Sequence, residues 1–235
     1  MDTQTRHALK GDKFAQATKT SVTWLSGHRS NVVRWAIGAA VVLVVGIGFL
    51  VFWNVQQGGA EQALGQALDI YTAPLALPGG PAEPGTYATV ADRAKAANAQ
   101  FKAVADKYGW LTEGSKARYF QGVTEQELGQ TSAAEGDLKK VADSWNRNLA
   151  NLAKVALASI YRQTGRDQQA IDLYNEIIAK PSQTVSAGVA QLDLADLYDA
   201  TGKQGQAKAL WAKIKDSDKE GAAGSIAAQK LAGNK

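Results

Sequence analysis

The pattern of apolar and polar positions is dominated by one segment, which runs from Trp35 to Trp53. Its nineteen residues, WAIGAAVVLVVGIGFLVFW, include no charged side chain and no polar group other than the two indoles. At about 1.5 Å per residue, a helix of this length measures roughly 28 Å, close to the hydrocarbon thickness of a bilayer. A buried core helix is rarely apolar on every face over such a length. The pattern therefore predicts a transmembrane helix over 35–53, with Arg34, Trp35 and Trp53 at the membrane interfaces.

Beyond this segment, apolar residues recur every three or four positions, and no stretch alternates with a period of two. This spacing is typical of amphipathic helices and predicts no strands. Helical spacing resumes at 57–73, and four of the five prolines then fall within 74–86, where we expect a proline-rich loop. Helices continue from about Thr89, separated by breaks with turn-forming residues. These breaks are expected at Tyr108-Gly109, Gly129, Gly136, Asn146–Asn148, Gly165, Pro181, Gly202 and Gly221.

Charge is distributed unequally on the two sides of the apolar segment. Residues 1–34 hold six basic and two acidic side chains, whereas residues 54–235 hold twenty of each. Because basic residues flank the cytoplasmic side of a membrane helix, residues 1–34 are predicted to be cytoplasmic and 54–235 to be exported. A cleaved signal peptide is disfavoured, since its basic leader and apolar core would be shorter. Residues 1–31 either rest on anionic lipid as a basic helix or act only as a topology signal.

Internal similarity appears in the exported part. The stretches 157–165 (LASIYRQTG) and 194–202 (LADLYDATG) share the pattern L-A-x-φ-Y-x-x-T-G, and a weaker copy ends at Gly129. We expect each copy to be a helical hairpin, with glycine as a left-handed cap at the end of its first helix. Small residues should let the two helices approach closely. These residues are Gly122, Ala158 and Ala195 in the first helices and Ala134, Ala170 and Ala207 in the second helices.

This pattern resembles the tetratricopeptide repeat (TPR). The resemblance implies an all-α fold with a single N-terminal transmembrane helix followed by an α-solenoid of TPR-like hairpins, closed by a single helix at 221–233. It also implies a concave protein-binding face lined by the first helix of each hairpin. Carried over by position, that face would comprise Tyr119, Phe120, Val123, Leu152, Ser159, Arg162, Leu192, Asp193 and Asp196. The alternative is that the apolar members of this set only pack between hairpins.

The order of parts is similar to that of a bacterial family of ancillary Sec-translocon subunits, which some classifications group with a TPR-containing cell-division coordinator. The resemblance implies a single-pass protein of the bacterial inner membrane with its N-terminus in the cytoplasm and its repeat domain in the periplasm. The implied partners are translocon subunits, a periplasmic chaperone or isomerase, and emerging chains. The alternative function is a structural scaffold that coordinates envelope assembly or cell division.

The residues that usually carry catalysis are scarce. The chain has no cysteine, and its two histidines, His7 and His28, both precede the apolar segment. Asp193, Asp196 and Asp199 recur on one helix, where a solvated face is the simpler interpretation than acid–base chemistry. We therefore expect no enzyme activity, catalytic residue, metal site, cofactor or small-molecule substrate. The neutral exported part offers no basic field for nucleic acid, which leaves proteins and membrane lipid as partners.

Overall fold

A computed structural model describes residues 29–77 and 84–233 of the chain. The expectations for residues 1–28, including the basic helix, and for the centre of the proline-rich loop at 78–83 lie outside the described residues. The described part contains nine helices and no strand, which confirms the all-α prediction. The helices are α1 Arg29–Tyr71, α2 Val90–Lys107, α3 Thr112–Glu127, α4 Thr131–Ala142, α5 Arg147–Gln163, α6 Asp167–Ala179, α7 Ala187–Ala200, α8 Gln204–Ser217 and α9 Ala222–Gly233.

Helix α1 is long and apolar enough to cross a membrane once, judged by its length and composition. Its apolar stretch is exposed throughout, including Trp35 at 80 % and Trp53 at 39 %. Arg34, expected at the interface, is exposed as well. An apolar helix with no protein covering it requires another apolar environment, because apolar surface is unfavourable in water.

The same helix is longer than the apolar segment and continues without a break to Tyr71. The sequence suggested that helical spacing resumes at residue 57, and the structure instead places 57–71 in the same helix. No proline interrupts the connection, and two glycines at 58 and 59 cost a helix only about 1 kcal/mol each. Gly59 also has a packing role, since a Cβ atom there would lie 3.0 Å from the hydroxyl of Tyr108.

The chain divides into two compact units, residues 1–56 and 57–235. In the second unit each helix from α2 onward packs against the next, and α3 also contacts α5 while α7 contacts α9. Three apolar clusters form its core. One surrounds Phe101 and joins the end of α1 to α2 and α3, one surrounds Leu157 and joins α4 to α7, and one surrounds Trp211 and joins α7 to α9.

The helix boundaries follow most of the expected breaks. Gly129, Gly165 and Gly202 follow the ends of α3, α5 and α7, but the turn expected at Gly136 is wrong, because this residue lies inside α4. The neighbouring Ala134 and Leu138 are fully buried, and their packing outweighs the weak local preference of one glycine.

The ends of the proline-rich loop are held together. The Ala76 N–H donates to the Tyr87 carbonyl at 2.9 Å, and the Tyr87 N–H donates to the Pro74 carbonyl at 3.1 Å. Two residues later, the Thr89 hydroxyl accepts the Asp92 N–H at 3.0 Å and caps the start of α2. The described parts of the loop therefore leave and re-enter the helical domain at one place.

Candidate functional site

Three helix ends with the same geometry place α3, α5 and α7 relative to the helices that follow them. Gly129, Gly165 and Gly202 adopt φ values of +72°, +70° and +77°, a region that favours glycine. In each case the N–H of the next residue donates to the carbonyl five positions earlier, at 2.7–2.8 Å. This is the Schellman motif, which satisfies carbonyls at the end of a helix.

The T-G pair of the repeat has a further physical role. The hydroxyls of Thr164 and Thr201 each donate to the carbonyl four residues earlier at 2.8 Å. The cation that follows glycine lies over the repeat tyrosine, with Arg166 at 4.4 Å from the Tyr161 ring centroid. Cation–π contact of this kind stabilises the turn by about 0.5–1 kcal/mol at an exposed site. At the ends of α5 and α7, the repeated tyrosine, threonine, glycine and cation therefore all help to terminate the helix.

Small residues bring the paired helices together, as the sequence predicted. Ala158 in α5 and Ala195 in α7 are fully buried, and so are the small residues of the second helices, Ala134 in α4, Ala170 in α6 and Ala207 in α8. At Gly122 in α3, a Cβ atom would lie 2.7 Å from Cγ of Leu138 in α4. The close approach of α3 and α4 therefore requires glycine there.

An open cleft of about 500 Å³ separates parts of α5 and α7. These helices approach each other less closely than α3 and α5 or α7 and α9 do. The α6–α7 connection comprises residues 180–186. We call this the α5–α7 cleft, and it is lined by Ser159, Arg162, Gln163, Asp167, Leu197, Ala200 and Thr201.

The charges beside this cleft are only partly compensated within the domain. Burial raises the pKa of Asp193, the neighbouring Asp196 carboxylate raises it further, and the Arg162 guanidinium opposes both effects. The pKa of Tyr174 is also raised, first by burial and then by Asp193, while Arg162 again acts in the opposite direction. Asp196 pairs with Lys230 of α9 at 2.8 Å, but its Oδ1 atom has no partner among the described residues. Arg162 is the exposed charge of this set, and a partner's carboxylate can pair with it directly.

Four of the nine predicted binding residues thus come together here. Ser159 and Arg162 line the cleft itself, while Asp193 and Asp196 on α7 interact electrostatically with Arg162 or with each other. All four are half-buried or exposed. The predicted site is therefore accessible at this point and carries charges of both signs.

The three predicted residues on α3 lie in a different environment. Phe120 stacks on Phe101 with ring centroids 5.2 Å apart and lies 6.0 Å from Tyr71. Tyr119 contacts Phe120 edge-on at 5.2 Å, and burial raises its pKa. Val123 is half-buried. The two aromatic residues therefore have a packing role in addition to any contact with a partner.

The two predicted leucines also take part in packing. Leu152 packs against the cluster around Leu157, and Leu192 packs against the cluster around Trp211. Both remain half-buried rather than buried. Their exposed portions supply apolar surface on α5 and α7, the helices on either side of the cleft.

Two features were not identified from the sequence. The first is a pair of buried polar residues, Gln121 and Glu125, at two α3 positions where the repeat pattern expects Leu and Tyr. The Gln121 amide donates to Glu125 at 3.1 Å and to Asp137 at 2.8 Å. The deviation from the pattern was visible, but its partner Asp137 lies on another helix. The second feature is Trp145, which is 89 % exposed between α4 and α5. A tryptophan in a polar turn outside the helical pattern was its only signal.

No protein-family model matches the chain, and none of the curated proteins is significantly similar to it.

Proposed function

We propose that the protein is a membrane-anchored adaptor without enzyme activity, whose helical domain is an array of TPR-like hairpins that binds other proteins. By the resemblance of its architecture, the adaptor is an ancillary component of the Sec export machinery in a bacterial inner membrane. Its domain would lie in the periplasm and hold a chaperone, an isomerase or an emerging chain. The observation that carries this proposal is the open α5–α7 cleft with its partly compensated charges.

Several features of the helices support the array. The three Schellman ends recur at intervals of 36 and 37 residues, a spacing that fits one hairpin in each interval. Contacts run mainly between neighbours in the chain, as expected where each repeat buries its apolar face on the next. The last helix, α9, packs against α7 and α8 and would serve as the closing helix.

The chemistry of the cleft supports binding of protein rather than catalysis. Arg162 offers donors, Asp167 offers an acceptor and Ala200 adds apolar surface, which suits a peptide segment. Histidine and cysteine do not occur after residue 28, so the commonest bases and nucleophiles are missing from the helical domain. Among the described residues no group of His, Cys, Asp or Glu has the arrangement of a metal site.

Recovery of partners with the full-length protein tests the proposal. Protein solubilised from its native membrane is purified in parallel with the variants Arg162→Ala and Asp193→Ala. Channel subunits or folding factors that are recovered with the parent and lost with the variants are the expected result. The exposed Lys208→Ala substitution on α8 is the matched control and should change nothing.

Two other results would lead to different conclusions. Recovery of division or wall-synthesis proteins would replace the export role with the scaffold function. Identical partners for the parent and both cleft variants would mean that the α5–α7 cleft is not the binding site.

A further inference from the structure

A second open cleft, of about 700 Å³, lies where the start of α5 faces the connection between α6 and α7. We call it the Trp145 cleft, and its walls include Trp145, Asn146, Arg147, Asn148, Pro181 and Ser186. None of the α5–α7 cleft residues lines it. Its volume is within the range of sites that bind small ligands or a few side chains.

The walls of this cleft are fixed by the fold. The Gln183 N–H donates to Oδ1 of Asn148 at 3.1 Å, and the Thr184 hydroxyl donates to the Asn148 carbonyl at 2.6 Å. The Asn151 amide donates to the Lys180 carbonyl at 3.0 Å, and Val185 is buried. A connection held in this way needs little ordering when a ligand binds, which favours affinity.

The polar groups that remain free in the Trp145 cleft are mainly donors. Oδ1 of Asn146 accepts the Leu149 N–H at 3.3 Å, and the Ser186 hydroxyl accepts the Val189 N–H at 3.3 Å. These bonds cap α5 and α7, so each of these two acceptors already has a donor. The first N–H groups of both helices and the Arg147 guanidinium remain as donors, and a helix start favours negative charge. Among the described residues that line the cleft, none is acidic.

Trp145 adds an apolar surface to this donor-rich cleft. Its side chain is 89 % exposed, which is unusual for the largest apolar side chain in a folded domain. Exposed tryptophan and arginine are the residues most often responsible for binding energy at protein interfaces. A ligand that suits the cleft therefore combines a carboxylate with a neighbouring flat or apolar group.

We propose that the Trp145 cleft binds an acidic segment of a partner protein, with an apolar or proline residue on the Trp145 indole and a carboxylate at Arg147. A neutral glycan suits the site less well, because it brings no carboxylate to the Arg147 guanidinium and the helix starts. This proposal deepens the adaptor function and rests on it, since it names a second contact and the chemistry of the partner.

The test uses the full-length chain in nanodiscs of zwitterionic lipid and a labelled, capped peptide, Glu-Asp-Pro-Phe-Glu-Asp. Saturable binding by fluorescence anisotropy is expected, and Trp145→Ala and Arg147→Gln should each weaken it by about ten-fold. Trp145→Phe should retain most of the affinity. The matched controls are Trp110→Ala, at another exposed tryptophan, and Lys213→Gln, at another exposed cation, and both should bind like the parent.

A second peptide tests the role of charge. In Gln-Asn-Pro-Phe-Gln-Asn every carboxylate is replaced by an amide, and binding should be lost. Equal affinity for both peptides, or unchanged binding by Trp145→Ala, would overturn the proposal. Trp145-dependent binding of an N-acetylglucosamine oligosaccharide instead of the acidic peptide would overturn it as well.

The outcome is separable from that of the adaptor function. If partners are recovered by the full-length protein but the acidic peptide does not bind, the adaptor role stands and the Trp145 cleft proposal fails. If the peptide binds through Trp145 but no partner depends on the α5–α7 cleft, the assignment of the α5–α7 cleft fails instead.

Discussion

Two glutamates of the helical domain show how a single carboxylate can affect stability in opposite directions. Glu135 on α4 accepts from Arg166 at 2.7 Å and from Lys139 at 2.6 Å, and these bonds lower its pKa from 4.5 to about 2. Glu125 on α3 is only 5 % exposed, and burial raises its pKa. Its Oε2 atom has no partner among the described residues. The first carboxylate should therefore stabilise the folded state at neutral pH and the second should destabilise it.

Glu135→Gln should lower the free energy of unfolding by about 1 kcal/mol at pH 7, because it removes two charge-assisted hydrogen bonds at a half-buried position. A carboxylate with a lowered pKa stabilises the fold fully above its unfolded pKa, and this contribution is lost as the pH falls. The difference from the parent should thus shrink between about pH 4.5 and pH 2. Thermal unfolding in detergent across this range measures it. A difference that stays constant with pH would show that the charge of Glu135 is not responsible.

Glu125→Gln should have the opposite effect and raise the free energy of unfolding by roughly 1 kcal/mol at pH 7, since it removes a buried charge but retains an acceptor for Gln121. The destabilisation by the parent's carboxylate is fully present above the raised pKa and is relieved as the pH falls through it. The advantage of the variant should therefore decrease on acidification. A variant that is less stable than the parent at pH 7 would show that the Glu125 charge is compensated in the folded protein.

At the level of helices, the sequence pattern predicted the repeated helix ends and missed the features that depend on packing against a distant helix. The glycine ends of α3, α5 and α7 could be predicted because their geometry depends on neighbouring residues. The continuation of α1 to Tyr71 and the helical state of Gly136 depend on packing against other helices. The same difference between local and distant determinants applies to the candidate sites. Arg162 and Asp193 were predicted as binding residues by repeat position, whereas the Trp145 cleft is formed by two connections about forty residues apart.

Glycine-to-alanine substitutions test this difference between helix ends and helix interiors. Gly202→Ala should destabilise the domain by about 1 kcal/mol, because φ is +77° there. Gly136→Ala is the matched control inside α4, where a Cβ atom would meet nothing within 4 Å. It should stabilise the domain by roughly 0.5–1 kcal/mol. Unfolding temperatures of the two variants should shift in opposite directions, and a shift in the same direction would contradict the assigned helix end.

At the level of the whole molecule, the chain has an apolar helix followed by a neutral helical domain. The charge distribution predicts that the domain is outside the cytoplasm, because all the excess of basic residues precedes the apolar segment. The absence of disulfides also means that the domain must be stable through its apolar clusters in either compartment.

A fusion after Lys235 measures the orientation. An enzyme reporter that is active only outside the cytoplasm should be active there, and a reporter that requires the cytoplasm should be silent. Replacing the basic residues before the apolar segment with glutamine should reduce this difference, because they specify the orientation. The reverse pattern of reporter activity in the unmodified chain would place the helical domain in the cytoplasm.

Site-specific photocrosslinking in intact cells tests the central claim most directly, namely that the anchored helical domain binds proteins through the α5–α7 cleft. A photoreactive amino acid replaces Gln163 in the cleft or, as the matched control, the exposed Gln169 on α6. The account predicts discrete crosslinks from position 163 to a subunit of the export machinery or to a folding factor, and none of these from position 169. Equal crosslinking from both positions, or no crosslink from position 163, would contradict it.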